Sequence, residues 1–253
     1  LNTLESFNHN LPVQLTSFIG REKEIDEVKR LVNSHLIITL TGSGGAGKTR
    51  LSLKVGAECL NQFSNGVWFV ELAPVADPTL IPQTLLAIFG LREDSQRTAL
   101  EVLVDYLRAK TLLLVLDNCE HLIDACAKIT ENLVRACPKI KILASSREAL
   151  GIAGEVSYRV PSLATPNLEH LPSLEKLLAF DSIRLFIERA SITKSDFTLT
   201  KDNALFAAQI CSRLDGIPLA IELAAARVTA MSPAEMIRAA SCGTCVSDAP
   251  GRC

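Results

Sequence analysis

Short runs of apolar residues alternate along this chain with longer stretches of mixed polarity. "LIITLT" (36–41), "VWFVEL" (67–72), "TLLLVLD" (111–117), "KIKILASS" (139–146) and "EVSYRV" (155–160) each read as a strand. Between them the apolar spacing lengthens to a helical period: a helix over 48–60, one beginning at Pro78 with Asp77 as its N-cap, one over about 98–109, and one running to about 136. The run at 111–117 is apolar on both faces, which places it in the middle of a sheet covered on both sides. Strands alternating with helices predict an α/β fold, a parallel sheet with helices on both faces.

The texture changes at "VPSLATPNLEHLPS" (160–173). Pro161, Pro166 and Pro172 mark a linker. Beyond it every signal is helical. Ile183, Phe186, Ile187 and Ala190 recur at i, i+3, i+4, i+7. A helix over 201–214 has Thr200 as its cap, "GIPLAIELAAARV" supplies another, and "SPAE" (232–235) is a capping box. The predicted organisation is therefore a linker over 1–15, a nucleotide-binding domain over 16–160, a linker over 161–173, a small helical domain over 174–240 and an irregular tail over 241–253.

The nucleotide enters through "TLTGSGGAGKTRLS" (39–52). Gly42, Gly47, Lys48 and Thr49 stand at G-x-x-x-x-G-K-[ST] spacing, after a strand and before a helix. Glycines in such a loop, here Gly42, Gly44, Gly45 and Gly47 with Ala46 among them, let successive N–H groups converge on phosphate oxygens. The positive end of the following helix adds to the attraction. Lys48 then reaches the β- and γ-phosphates, and the Thr49 hydroxyl ligates Mg²⁺.

Asp117 closes the most apolar strand, where a carboxylate can hold Mg²⁺ through water. The next residue is Asn118, which orients a water but cannot take its proton. Many fast ATPases carry Glu there, so slow hydrolysis is expected. Glu120 and His121, just downstream, are both open as substitutes. Arg147, after the fourth strand, is suited to sense a γ-phosphate; its alternative is a surface pair with Glu148. Pro218 suits a helix start and can also pack on a flat base.

Composition changes this picture little. The chain has 253 residues, 48% hydrophobic and 21% charged, with a net charge of −2. That supports packed cores and excludes wholesale disorder. Basic residues are dispersed, so no direct nucleic-acid binding is expected of this segment. No apolar run approaches a membrane span, and "LNTLESFNHN" lacks signal-peptide features, so a cytoplasmic location is expected. The same ten residues read as the end of a linker, so a fragment, or one module of a longer protein, is expected. Of the eight cysteines, Cys59, Cys119, Cys126, Cys137 and Cys211 read as reduced core thiols. Cys242 and Cys245 form a lone C-x-x-C without a second pair at zinc spacing. Trp68 reads as core, and no internal repeat is present.

Taken together, "FIGRE" (18–22), "GSGGAGKT", "LLLVLDNCEH", "ILASSRE" and "LDGIPLAIELAAARV" resemble the NB-ARC class of signal-transduction ATPases with numerous domains (STAND), an AAA+-like branch of the P-loop proteins. The nearest resemblance is to bacterial ATPases of the AfsR and LuxR-type regulator group, over about residues 11–240. It implies a five-stranded sheet in the order 5-1-4-3-2 followed by a small α-helical domain. Phe18, Ile19 and Arg21 are implied near the adenine, with Arg50 just beyond the loop. The implied Mg²⁺ acid is Asp117, the γ-phosphate sensor Arg147 and the base- or ribose-packing residue Pro218. ATP or ADP between the two domains would hold a conformation, with slow hydrolysis as the reset and nucleotide-dependent self-association as a possible consequence. The family continues into a winged helix and sensor repeats, and its upstream part can be a DNA-binding or cyclase domain; these missing domains are the expected partners. A faster ATPase or small-molecule kinase, and a binding module without hydrolysis, are the competing readings.

Overall fold

The computed structural model describes residues 8–231 together with Glu235 and Ile237. The capping box at Ser232 and Pro233 and the cysteines of the tail lie outside the described residues. The chain divides into two compact units. One comprises residues 1–18, 22–44 and 48–160, the other residues 19–21, 45–47 and 161–253. Ile19–Arg21 and Gly45–Gly47 therefore group with the helical residues, not with the 16–160 domain, and so does the expected linker 161–173.

In the first unit the elements are α1 (Glu22–Ser34), β1 (Ile37–Thr41), α2 (Lys48–Glu58), β2 (Val67–Glu71), α3 (Ile81–Ile88), α4 (Ala99–Leu107), β3 (Leu113–Asp117), α5 (Ile123–Ala136), β4 (Lys141–Ser145) and β5 (Glu155–Arg159). All strand pairs are parallel and the order is β2-β3-β4-β1-β5, the expected 5-1-4-3-2. Every residue of β1 and β3 is buried, as runs apolar on both faces require. One sheet face packs Leu114, Leu116 and Ile142 with α3, α4 and α5. The other packs Ile38, Leu40, Leu113, Val115 and Leu143 with α1 and α2.

Local chemistry sets the helix ends. Thr98 and Glu101 form a reciprocal capping box at the start of α4, with Thr98 N–H donating to Glu101 Oε2 at 2.8 Å and Glu101 N–H to Thr98 Oγ1 at 3.3 Å. The helix expected from Pro78 begins later. Asp77 caps only a 3₁₀ turn over Pro78–Leu80, and α3 starts at Ile81 because Pro82 fits only a first helical turn. Helix α1 is not among the expected elements, although Ile25, Val28 and Val32 are buried at helical spacing. Asn8 and Asn10, in the expected linker, lie along the free edge of β2. The carbonyl of Asn8 accepts from Val67 N–H, and the Asn10 amide exchanges two hydrogen bonds with the Phe69 backbone. A sheet edge is thereby covered.

The second unit contains α6 (Leu174–Leu177), α7 (Asp181–Thr193), α8 (Lys201–Arg213) and α9 (Pro218–Ala225). Ile183, Phe186 and Ala190 are fully buried, as their spacing predicts, with Ala207, Ile210, Cys211 and Ile221. Phe186 meets Phe197 and Phe206 edge-on, with centroids 5.9 and 6.4 Å apart. Leu163 belongs to this core, and its N–H donates to Gly216 O at 2.9 Å.

Two predictions test these cores. Leu114 is fully buried in β3, an interior strand, so Leu114→Ala should cost about 2–5 kcal/mol in a urea titration, whereas Leu15→Ala at a 93% exposed site should cost little. Cys59, Cys119, Cys126, Cys137 and Cys211 are all buried and free, and burial pushes the Cys211 thiol up to about 12. Iodoacetamide at pH 8 should leave these five unalkylated in the native protein and label them after denaturation, read by peptide mass.

Candidate functional site

The loop between β1 and α2 is shaped by its glycines. Gly45 and Gly47 sit at φ +76° and +86°, a conformation that side chains rarely adopt. The turn delivers Lys48 and Thr49 to the first turn of α2. Lys48 is 8% exposed, and its ammonium donates to the carbonyls of Gly42 and Ser43 at 2.9 and 3.1 Å. Burial lowers its pKa; the carboxylate of Glu120 is the strongest influence in the opposite direction, ahead of Asp117. The backbone N–H groups and dipole at the start of a helix such as α2 suit an anion.

Asp117 ends β3, two sheet positions away from β1. It is 4% exposed, and its Oδ1 accepts from the Thr49 hydroxyl at 2.7 Å. The Ser145 hydroxyl, at the end of β4, also donates to Oδ1 and accepts from Asn118 N–H at 3.1 Å. Two hydroxyls thus fix a buried carboxylate that would otherwise carry a large desolvation cost. Thr49 and Asp117 bring hard oxygen ligands together beside the loop, a donor set that fits Mg²⁺.

Asn118 adopts the left-handed conformation, with φ 66° and ψ 48°, and starts a 3₁₀ turn over Cys119–His121. His121 Nε2 is engaged by Val75 O at 2.9 Å. Glu120 Oε1 lies 3.4 Å from Arg147 Nε, so Arg147 pairs with Glu120 and not with Glu148. The Arg147 side chain is 71% exposed, which makes this a weak pair.

A second group assembles around Gly47. Arg21, at φ 67° and 5% exposed, donates to Ala46 O at 2.8 Å and Pro161 O at 2.9 Å. A Cβ built on Gly47 would lie 3.8 Å from the Arg21 guanidinium and 3.9 Å from Pro218 Cγ. Pro218 is the first residue of α9, and Leu219 N–H donates to Gly45 O at 3.2 Å. Ile19 packs on the helical core. Phe18 lies under the Arg50 guanidinium, 5.9 Å from ring centroid to Cζ, while Arg50 donates to Thr16 O and Ser17 O. Gly44 stands open, with nothing within 4 Å of a Cβ built there.

Of the residues singled out in the sequence, the structure brings together Lys48, Thr49 and Asp117 in one group, and Ala46, Gly47, Arg21 and Pro218 in another. Ser145 was missed. Its signal in the sequence is a polar residue ending an apolar strand in "ILASSRE".

The sheet order and loop geometry agree with comparison to known proteins. Residues 30–152 match a family model described as an AAA domain. The fold is that of an AAA-type P-loop nucleoside triphosphatase. A STAND protein with a tetratricopeptide repeat sensor from Pyrococcus horikoshii superposes with TM-score 0.55 at 15% identity, over 90% of this chain and 33% of that one. An Aeropyrum pernix ORC2 protein, solved as ADPNP–ADP complexes, gives TM-score 0.56 at 15% identity, over 88% of this chain and 67% of that one. In sequence, an uncharacterized Mycobacterium tuberculosis protein is 43% identical over 232 residues, 92% of this chain and 56% of the relative. A second protein of that organism, named "Putative HTH-type transcriptional regulator", is 40% identical over 209 residues, 83% of this chain. The chain spans about half of the first relative and 22% of the second.

Ser145→Ala removes one of two hydroxyl donors to a buried charge. It should lower stability by about 1.5–3 kcal/mol in urea titration without nucleotide. Ser146→Ala, at the neighbouring hydroxyl with no hydrogen-bond partner among the described residues, should cost less.

Proposed function

We propose that this chain is the ATP/ADP-binding switch module of a multidomain signalling or transcriptional regulator, of the NB-ARC/STAND kind, with slow Mg²⁺-dependent hydrolysis. The observation that carries this reading is the Thr49–Asp117 hydrogen bond beside the phosphate loop, followed directly by Asn118 in place of an acid. Thr49 and Asp117 would hold Mg²⁺ on the β- and γ-phosphates, and the ion would neutralise charge developing there. Lys48, held against the loop backbone, would exchange its carbonyl partners for phosphate oxygens. Arg147 would leave a weak surface pair to meet the γ-phosphate. Arg21 and Pro218, both against Gly47, would meet the ribose or base, with Phe18 and Ile19 on the adenine.

Switching in this reading depends on the second unit. Gly45–Gly47 pack with Pro218 and Leu219 of α9. A ligand that changes the hydrogen bonding of those loop residues has a direct hold on the helical unit. ATP and ADP differ at the γ-phosphate, so each would stabilise its own arrangement. The remaining domains of the polypeptide, among them the sensor and the output, would read that difference. A relative named for transcriptional regulation and a STAND structural neighbour support this context.

Purification without added nucleotide, denaturation and chromatography of the released material test the proposal. ADP near one equivalent is expected, lost in Lys48→Ala. A chain that carries no nucleotide but turns over ATP at tens per second would overturn the switch reading in favour of a fast ATPase or kinase.

A further inference from the structure

We propose that Glu120 supplies the acid–base carboxylate that position 118 lacks, accepting a proton from the water that attacks the γ-phosphate. This rests on the ATP-hydrolysing reading above. Three observations carry it.

The first is directional. In a 3₁₀ turn, successive side chains diverge by about a third of a revolution. Cys119 is fully buried and points into the core. His121 is tied to the Val75 carbonyl. Glu120 takes the third direction. The left-handed residue Asn118, whose N–H is fixed by Ser145, makes the reversal that brings it there.

The second is its surroundings. Glu120 lies against Arg147 at 3.4 Å, and its charge acts on the Lys48 ammonium more strongly than that of Asp117. Of the two downstream candidates, Glu120 pairs with Arg147, whereas His121 is engaged by the Val75 carbonyl.

The third is its free hydrogen-bonding capacity. Glu120 Oε2 is buried and has no hydrogen-bond partner among the described residues. A buried carboxylate oxygen with no protein donor is suited to accept from a small donor, and water is the donor that hydrolysis requires. Its other oxygen pairs with the exposed Arg147. Movement of that arginine to a γ-phosphate would leave Glu120 available without breaking a buried ion pair.

In the step so defined, the water oxygen forms a bond to the γ-phosphorus. The bond from that phosphorus to the β–γ bridging oxygen breaks, and its electron pair leaves with ADP. The water proton passes to Glu120, and inorganic phosphate is the second product. Two residues, Asn118 and Cys119, separate Glu120 from Asp117, so the turn sets the geometry, which accounts for a base placed outside the position next to the Mg²⁺ acid.

The test compares wild type, Glu120→Gln and Glu120→Gln with Asn118→Glu, in single-turnover hydrolysis of ATP with Mg²⁺ and in equilibrium binding of the slowly hydrolysed analogue ATPγS. Urea midpoints check that each variant folds. Glu120→Gln should lose roughly a hundredfold or more in single-turnover rate. Its affinity for ATPγS should stay within about twofold, and the purified variant should retain ATP where wild type retains ADP. Restoring an acid at position 118 should recover part of the rate. Wild-type hydrolysis by Glu120→Gln, or a parallel loss of ATPγS affinity, overturns the assignment and leaves the switch reading standing. A wild type that neither binds nor hydrolyses ATP overturns both.

Discussion

A buried carboxylate governs the architecture of this site. Asp117 ends a strand that is apolar on both faces, so its charge sits at the rim of a dry sheet at 4% exposure. Such a charge is tolerated only where hydrogen-bond donors are fixed around it. Two hydroxyls meet that demand, and they come from different elements: Thr49 from the first turn of α2 and Ser145 from the end of β4. Satisfying one side chain therefore requires β1, β3 and β4 to end in register. The parallel ladders supply that register, pairing Leu40 with Ser145 and Leu116 with Ala144.

The same constraint shapes the turn that follows. Ser145 cannot hold Asp117 and Asn118 N–H together unless the chain reverses immediately after the strand. Asn118 makes that reversal in the left-handed region, which asparagine tolerates better than most residues. The choice of Asn at this position is thus explained by backbone conformation as well as by chemistry. The turn that follows brings Glu120 beside Arg147.

The phosphate loop carries a second constraint. Its middle residues, Gly45 to Gly47, belong to the same compact unit as the helices. Leu219 N–H donates to the Gly45 carbonyl, and Arg21 is buried with its guanidinium on the Ala46 carbonyl. Arg21 adopts φ 67° without being glycine, a conformation that costs of order 1 kcal/mol and persists because those two carbonyl bonds hold it. Loop, arginine and α9 are therefore one packed assembly.

By itself, the sequence determined the strands, the burial of β1 and β3, the sheet order through resemblance, the phosphate loop and the acid at the end of β3. These signals are local: an apolar run of five residues, a spacing of glycines, a carboxylate at a strand end. It left α1 unassigned, because "FIGRE" drew the reading toward a turn while the helical period of Ile25, Val28 and Val32 went unused. It placed α3 too early, because Asp77-Pro78 is a good helix start and only Pro82 decides that the α-helix begins at Ile81. The tertiary structure alone decided that Ser145 grips Asp117, that His121 is spent on Val75 while Glu120 pairs with Arg147, and that Arg21 and Pro218 converge on Gly47. These pairs are separated by 28, 46, 27 and up to 171 positions in the chain. Nothing in the spacing of residues encodes such meetings; they exist only once the ladders and helices have fixed where each strand ends.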